Sequence, residues 1–235
     1  MNAREKKIVM AVIEEYVKTA RPVSSKKISE KADFGLSSAT IRLEMKRLEK
    51  KGYLHQPHIS AGRIPTDKAY RFFVDNLPSK KLTKKEENLL KAELLKTRIE
   101  YNRLARASAK LLAHLSNALA MNMLNRGESF YEAGTKDILK NPEFRDIENM
   151  AELMEIMDNL LEKLCDFSRE NGFEEGVWIG REDPLKSKSL SLISKCYRLP
   201  SGKKGIIALL GPKRMRYDKN ISLVEYIAKI LSKEF

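Results

Sequence analysis

Apolar residues recur at helical spacing through the first fifty positions, and the pattern changes character twice before the end. Ile8, Val12, Ile13 and Tyr16 share one face of a helix predicted from about Arg4 to Thr19, with Glu14, Glu15 and Lys18 toward solvent. Arg21-Pro22 stops it, because proline disfavours helical geometry in the residue before it. Ser24 or Ser25 caps a short second helix through Lys31, and Phe34-Gly35-Leu36 makes a turn. Ser37 then caps a third helix, Ser38 to about Lys51, with Ile41, Met45 and Leu48 inward and Gly52 closing it. Two short helices joined by a tight turn predict a helix-turn-helix. Tyr53-Leu54 and the stretch to Ile64, turning at Ala61-Gly62, predict a hairpin, in other words a wing. Another helix runs from Asp67 to Asn76, and Leu77-Pro78-Ser79 is a linker.

Thr83 with Glu86 forms a capping box that opens a long helical segment toward Arg126. Its stripe of Leu90, Leu94, Tyr101, Leu104, Leu111, Leu115 and Ala118 must pack on something, a two-fold partner being one candidate. Asn141-Pro142 starts a further helix, with Met150, Leu153, Met157, Leu160, Leu164 and Phe167 repeating along it as core or interface. After Asn171-Gly172 the period shortens. Val177-Trp178-Ile179 predicts a strand, and two more, from Leu190 to Leu199 and from Gly205 to Leu210, flank the turn Pro200-Ser201-Gly202. Ile221, Val224, Ile227, Ala228 and Leu231 mark a closing amphipathic helix. The expected fold is α+β, with three parts: a winged helix-turn-helix over 1–78, a helical linker or dimerisation segment over 79–126, and a small α+β domain over 127–235.

Charge adds a direction to this layout. Residues 1–126 carry 27 Lys+Arg against 13 Asp+Glu, residues 127–176 carry 5 against 14, and residues 177–235 carry 13 against 5. A basic N-terminal half fits a polyanion-binding surface, since neutralising phosphates releases counterions. No apolar run is long enough to cross a bilayer, and Glu14 and Glu15 interrupt the only early apolar stretch, so neither membrane span nor signal peptide is expected. Cys165 and Cys196 are far apart and form no CxxC, which suits a reduced cytoplasmic protein.

The candidate chemistry lies in the third helix and the wing. An α-helix fits the major groove with its N-terminal residues near base edges. Ser38, Thr40, Arg42 and Lys46 are on the outward face, and the hydroxyls of Ser37, Ser38 and Thr40 suit contacts near a helix N-terminus that already favours anions. Arg42 suits a bidentate guanine contact; the alternative is an ion pair with Glu44 or with a carboxylate elsewhere in the domain. Lys26, Lys27 and Lys46 suit phosphates. In the wing, Gly62 permits the turn, Arg63 enters a minor groove or grips backbone, and His58 and Ser60 add contacts. Enzyme signatures are poor: Ser201 to Gly205 lacks the spacing of a phosphate loop, His114 reads as packed, and His55 and His58 around Pro57 do not make a metal pair. No catalysis, metal or cofactor is expected.

Longer motifs carry a resemblance. Ala39-Thr40-Ile41-Arg42, Glu44-Met45, Gly52-Tyr53-Leu54, and above all Ser60-Ala61-Gly62-Arg63-Ile64-Pro65-Thr66-Asp67-Lys68 with Tyr70-Arg71-Phe72 resemble the HrcA family of heat-inducible repressors. Ala133-Gly134, Asn141-Pro142-Glu143-Phe144, Gly211-Pro212-Lys213-Arg214-Met215 and Ile221-Ser222-Leu223-Val224 extend the likeness. The chain departs from the family in having Ser38 for proline and Leu43 for asparagine. It also looks like a shortened form, lacking between Met123 and Phe130 a stretch that holds part of a GAF-like domain and an inserted dimerising segment. The resemblance implies a homodimer on double-stranded DNA at an inverted-repeat operator of the CIRCE type, repression of chaperone genes, release on heat stress, and a GroEL-type chaperonin as modulator. Two rival readings are a ligand-sensing winged-helix regulator and an architectural or RNA-associated protein using the same basic surface.

Overall fold

A computed structural model describes residues 1–31, 35–78, 81–95, 101–124, 129–159, 162, 175–182, 186–200 and 202–233. Two compact units result, Met1–Leu77 and Pro78–Phe235.

The first unit begins with α1 (Ala3–Thr19), capped by Asn2, whose side chain accepts from the Glu5 N–H while the Glu5 carboxylate accepts from the Asn2 N–H. Helices α2 (Ser25–Lys31) and α3 (Ser38–Lys50) follow, then the strand pair β1 (Leu54–His55) and β2 (Ile64–Pro65), and α4 (Asp67–Asp75). Ile8, Val9, Val12 and Ile13 of α1 meet Ile28, Ile41, Met45, Leu48, Leu54, Tyr70 and Phe73 in one core. Glu15, expected in solvent, is buried, and Tyr16, expected in the core, is only half-buried. The inner stripe of α1 therefore runs through 5, 8, 9, 12, 13 and 15. The turn expected at Phe34-Gly35-Leu36 lies partly outside the described residues; Gly35 does take a positive φ of 58°.

The second unit opens with α5 (Lys84–Leu95), started by the expected box in which the Thr83 N–H reaches Glu86 at 2.9 Å. Helix α6 (Tyr101–Ser116) ends at Asn117, whose φ of 52° is the left-handed geometry that closes helices. The long helix expected as far as Arg126 is thereby corrected, because residues 119–124 are a strand. Strands β3 (Leu119–Leu124), β4 (Ser129–Ala133), β5 (Gly176–Ile179), β6 (Leu190–Arg198) and β7 (Lys204–Pro212) form one antiparallel sheet in the order β4-β3-β7-β6-β5. Every residue of β3 is buried, so its apolar run shows no alternation to tell strand from buried helix. Asn141-Pro142 opens a 3-10 turn, Pro142–Arg145, rather than a helix proper; α7 (Thr135–Ile138) precedes it and α8 (Ile147–Asp158) follows. Leu160, Leu164 and Phe167, expected to continue that stripe, lie outside the described residues. The closing helix is α9 (Tyr217–Lys233).

Both faces of the sheet are covered. Leu119, Met121 and Met123 join Leu190, Leu192, Ile206, Ala208 and Leu210 against Ile138, Phe144, Leu153 and Ile156 from α7, the 3-10 turn and α8. On the other face lie α6 and α9, and the α6 stripe of Leu104, Ala105, Ala109, Leu112 and Ala113 packs within its own unit. Leu111 and Leu115 are half-buried beside it, and His114, expected to be packed, is exposed on the outer side with Arg106 and Lys110. Inside this layer the Asn122 amide donates to Ser108 Oγ at 2.9 Å and accepts from the Tyr197 hydroxyl at 2.6 Å. Ser108 in turn donates to the Ala105 carbonyl, so three buried polar groups on α6, β3 and β6 satisfy one another. Elsewhere the Arg214 guanidinium pairs with the Glu143 carboxylate, joining two of the motifs noted above across 71 residues of chain.

Because Asn122 holds both of its partners, Asn122→Ala should cost about 1–3 kcal/mol of stability by orphaning buried hydroxyls. Urea unfolding followed through the second unit checks this; an unchanged midpoint would mean that water replaces the amide.

Candidate nucleic-acid interface

Helix α3 is sharply two-sided. Ile41, Met45 and Leu48 face the core together with Glu44, while Ser38, Ala39, Arg42, Leu43, Lys46, Arg47 and Lys50 are exposed. Every exposed charge on this helix is a cation. Its N-terminus is capped by Ser37, whose Oγ accepts from the Thr40 N–H at 3.2 Å and lies 3.0 Å from Thr40 Oγ1. Arg42 does not take the Glu44 alternative: Glu44 pairs with Arg47 at 2.9 Å and with Arg4 at 3.9 Å. Among the described residues no carboxylate pairs with Arg42.

Beside α3 lies the β1–β2 connection, and between them opens a cleft of about 520 Å³. Arg42 and Lys46 line it from α3, Ser24 and Ser25 from the start of α2, and Ile59, Ser60, Gly62 and Arg63 from the loop. Five of the residues expected from sequence, Arg42, Lys46, Ser60, Gly62 and Arg63, thus border one cleft. Lys26 and Lys27 are exposed on α2, His58 is exposed on the loop, and Ser37, Ser38 and Thr40 stand at the α3 N-terminus; none of these six lines the cleft. Lys26 is 4.0 Å from Glu30.

The loop is fixed from several sides. Val23 and Arg63 exchange backbone hydrogen bonds at 2.9 and 2.8 Å, an antiparallel bridge between the segment before α2 and the loop's return. Gly62 sits against that bridge: a Cβ there would fall 2.5 Å from the Val23 carbonyl carbon and oxygen. Its φ is not in the left-handed region. Glycine is required for close approach of two backbones, which corrects the expectation that it serves the turn. The Arg63 side chain, only 13% exposed, lies 3.1 Å from the Glu49 carboxylate and so holds the loop to α3. Glu49 also accepts from the Gln56 N–H at 3.1 Å, and the Gln56 side chain donates to the carbonyls of Ile59 and Ala61 at 2.8 and 2.9 Å.

These ties were missed in the sequence. Glu49 and Gln56 belong to no local pattern, and their pairing exists only once α3 and the loop lie side by side. The conspicuous Gly52 to Lys68 stretch is likewise largely structural. Thr66 caps α4 and donates to the Gly52 carbonyl at 2.7 Å, Lys68 donates to the Lys51 carbonyl at 3.0 Å, and its ammonium lies 4.6 Å from the Tyr53 ring centre.

The end of α3 is tied to α1 through Lys51, whose ammonium donates to both Glu5 oxygens at 2.7 and 2.8 Å. That bond, with the Asn2 N–H, holds the Glu5 carboxyl below its ordinary value of 4.5. Among the described residues no cluster of His, Cys, Asp or Glu could hold a metal ion, and no helix is long and apolar enough to cross a membrane.

Comparison with known proteins gives this geometry a setting. The model of the HrcA protein C terminal domain matches residues 50–221. The heat-inducible transcription repressor HrcA of Natranaerobius thermophilus is 30% identical, over 99% of this chain and 96% of its own. That of Brevibacillus brevis is 26% identical over 99% and 97%. The first alignment spans 336 positions, so at least 101 of them, 336 less 235, have no residue in this chain. A crystal structure of a protein described as hypothetical superposes with a TM-score of 0.77 at 22% identity, over all of this chain and 98% of the other, which shows the fold. These likenesses place the chain among transcription repressors rather than enzymes. It belongs to the HrcA family.

The Glu5–Lys51 pair makes a signed pH prediction. A carboxyl lowered on folding adds stability that is complete above about its unfolded value and disappears as pH falls through the folded value. Unfolding midpoints of the first unit, followed from about pH 6 to about pH 3, should show wild type more stable than Glu5→Gln at the upper end, the two converging at the lower. Parallel curves would contradict the pairing.

Proposed function

We propose that this chain is a heat-inducible repressor whose first unit works as a winged helix-turn-helix on double-stranded DNA. The observation that carries the reading is the cleft between α3 and the β1–β2 loop, where Arg42 and Lys46 face the loop across a surface whose exposed α3 charges are all cations. Helix α3 enters the major groove, Arg42 reads a guanine through a bidentate contact, and Lys46, Lys26 and Lys27 bind phosphates. Ser37, Ser38 and Thr40 supply hydroxyls where the α3 N-terminus meets the backbone. His58 and Ser60 add contacts from the loop, while Gly62 and Arg63 hold the loop in place.

The chain acts as a homodimer on an inverted repeat, so that two-fold protein meets two-fold operator. By likeness to its relatives the operator is of the CIRCE type upstream of chaperone genes, repression is relieved by heat, and a GroEL-type chaperonin modulates it. The β3–β4 pair, in register from Ala120↔Ala133 to Leu124↔Ser129, flanks the place expected for the missing stretch. The second unit is the shortened GAF-like domain. The protein works in the cytoplasm, where its DNA is.

Binding titrations with a CIRCE-type inverted repeat and a scrambled duplex test the reading. Wild type should prefer the repeat, and Arg42→Ala should reduce that preference by about 10- to 100-fold, the worth of one bidentate base contact. Equal affinity for both duplexes, falling with salt, would instead indicate an architectural protein held by phosphates alone.

A further inference from the structure

The tip of the β1–β2 loop holds a large apolar side chain wholly in solvent. Ile59 is 100% exposed, whereas the other large apolar residue exposed in the first unit's described residues, Leu43 on α3, is 52% exposed. A β-branched side chain is stiff about its first torsion, and it is held out here on a stiff support. The Gln56 amide donates to the carbonyls of Ile59 itself and of Ala61, the Ala61 N–H donates to the His58 carbonyl at 2.9 Å, and the Val23–Arg63 bridge anchors the return. The same residue borders the cleft opposite Arg42 and Lys46, so it shares the cationic face that meets the duplex.

We infer that Ile59 is an apolar wedge that enters the minor groove next to the major groove occupied by α3, partly unstacks one base step and bends the duplex. This rests on the proposed DNA-reading role of the first unit. The physical case is a balance of surfaces. An isoleucine wholly in water gains by burial, and unstacking a base step opens apolar base faces for it to cover. Proteins that work in the minor groove insert isoleucine, leucine, phenylalanine or methionine in this way and kink the helix toward the major groove. Arg63, the cation nearest the tip in sequence, is turned back onto Glu49, so the tip itself presents hydrocarbon rather than charge. Recognition at this position is consequently by deformability. A flexible pyrimidine–purine step such as TA or CA is favoured there, and a stiff A-tract is disfavoured.

The test uses the full chain and a CIRCE-type inverted-repeat duplex with a fluorophore at each end, so that energy transfer reports the end-to-end distance. Ile59→Ala removes atoms that touch solvent alone, and therefore leaves the fold intact. Wild type should shorten the end-to-end distance. Ile59→Ala should leave the duplex nearly straight and weaken binding roughly tenfold, as expected for losing one buried apolar side chain. Its salt dependence should match that of wild type, because no phosphate contact is removed. Ile59→Phe should restore the bend. Equal bending and affinity in wild type and Ile59→Ala would overturn the wedge while leaving the repressor reading intact. Loss of self-association in Ile59→Ala, with bending unchanged, would also overturn it by making the tip a protein contact. Failure of wild type to prefer the repeat over a scrambled duplex would instead remove the DNA-reading role on which the wedge depends.

Discussion

Two backbone hydrogen bonds between Val23 and Arg63 decide how the first unit presents itself. Without them the loop after β1 would be a long excursion on a two-residue strand pair, free to point anywhere. With them, the segment entering α2 and the segment entering β2 are one antiparallel bridge, and the helix-to-loop spacing is set. Gly62 makes the bridge possible because no larger residue fits against the Val23 carbonyl. Arg63 then uses its charge on Glu49, and Glu49 uses its second oxygen on the Gln56 backbone. A chain of contacts from α2 to α3 to the loop therefore replaces what would otherwise be three independent elements. The exposed cations of α3 and the apolar tip of the loop sit on a single preformed surface, which in the proposed reading keeps the ordering entropy lost on binding small.

The second unit follows a different logic. Its sheet is covered on both faces, and polar groups caught between layers are matched to each other: Asn122 with Ser108 and Tyr197, and the Tyr217 hydroxyl with Ser191 at 2.9 Å. The Arg214–Glu143 pair has a similar meaning. Residues that stand out in sequence because they are unusual turn out here to hold two distant stretches together.

Much of the first unit was legible because its helices are amphipathic and their ends are marked by chemistry: Ser37 as cap and Gly52 at a φ of 77°. Periodicity failed where burial was complete. Residues 119–124 are apolar or satisfied on both faces, so they carry no period, and Asn117 with its left-handed backbone was the one local sign that α6 stops. The cleft was half legible. Arg42 and Lys46 follow from the phase of α3 alone, whereas the close approach at Gly62 and the inward turn of Arg63 depend on Val23 and Glu49, which are remote in sequence. Motif strength also misleads about role: Thr66 and Lys68 belong to the most distinctive stretch, yet their hydrogen bonds go to the backbone of Gly52, Tyr53 and Lys51.

In the proposed reading, α3 and the loop enter two adjacent grooves together. Methylation interference on an inverted-repeat duplex separates the grooves, since dimethyl sulfate marks guanine N7 in the major groove and adenine N3 in the minor. Interference at guanine N7 within each half-site, at adenine N3 in the neighbouring minor groove, and with two-fold symmetry between half-sites is the predicted pattern. Interference scattered without symmetry, or absent from both grooves at full binding, would contradict the joint surface and leave only the phosphate backbone as the contact.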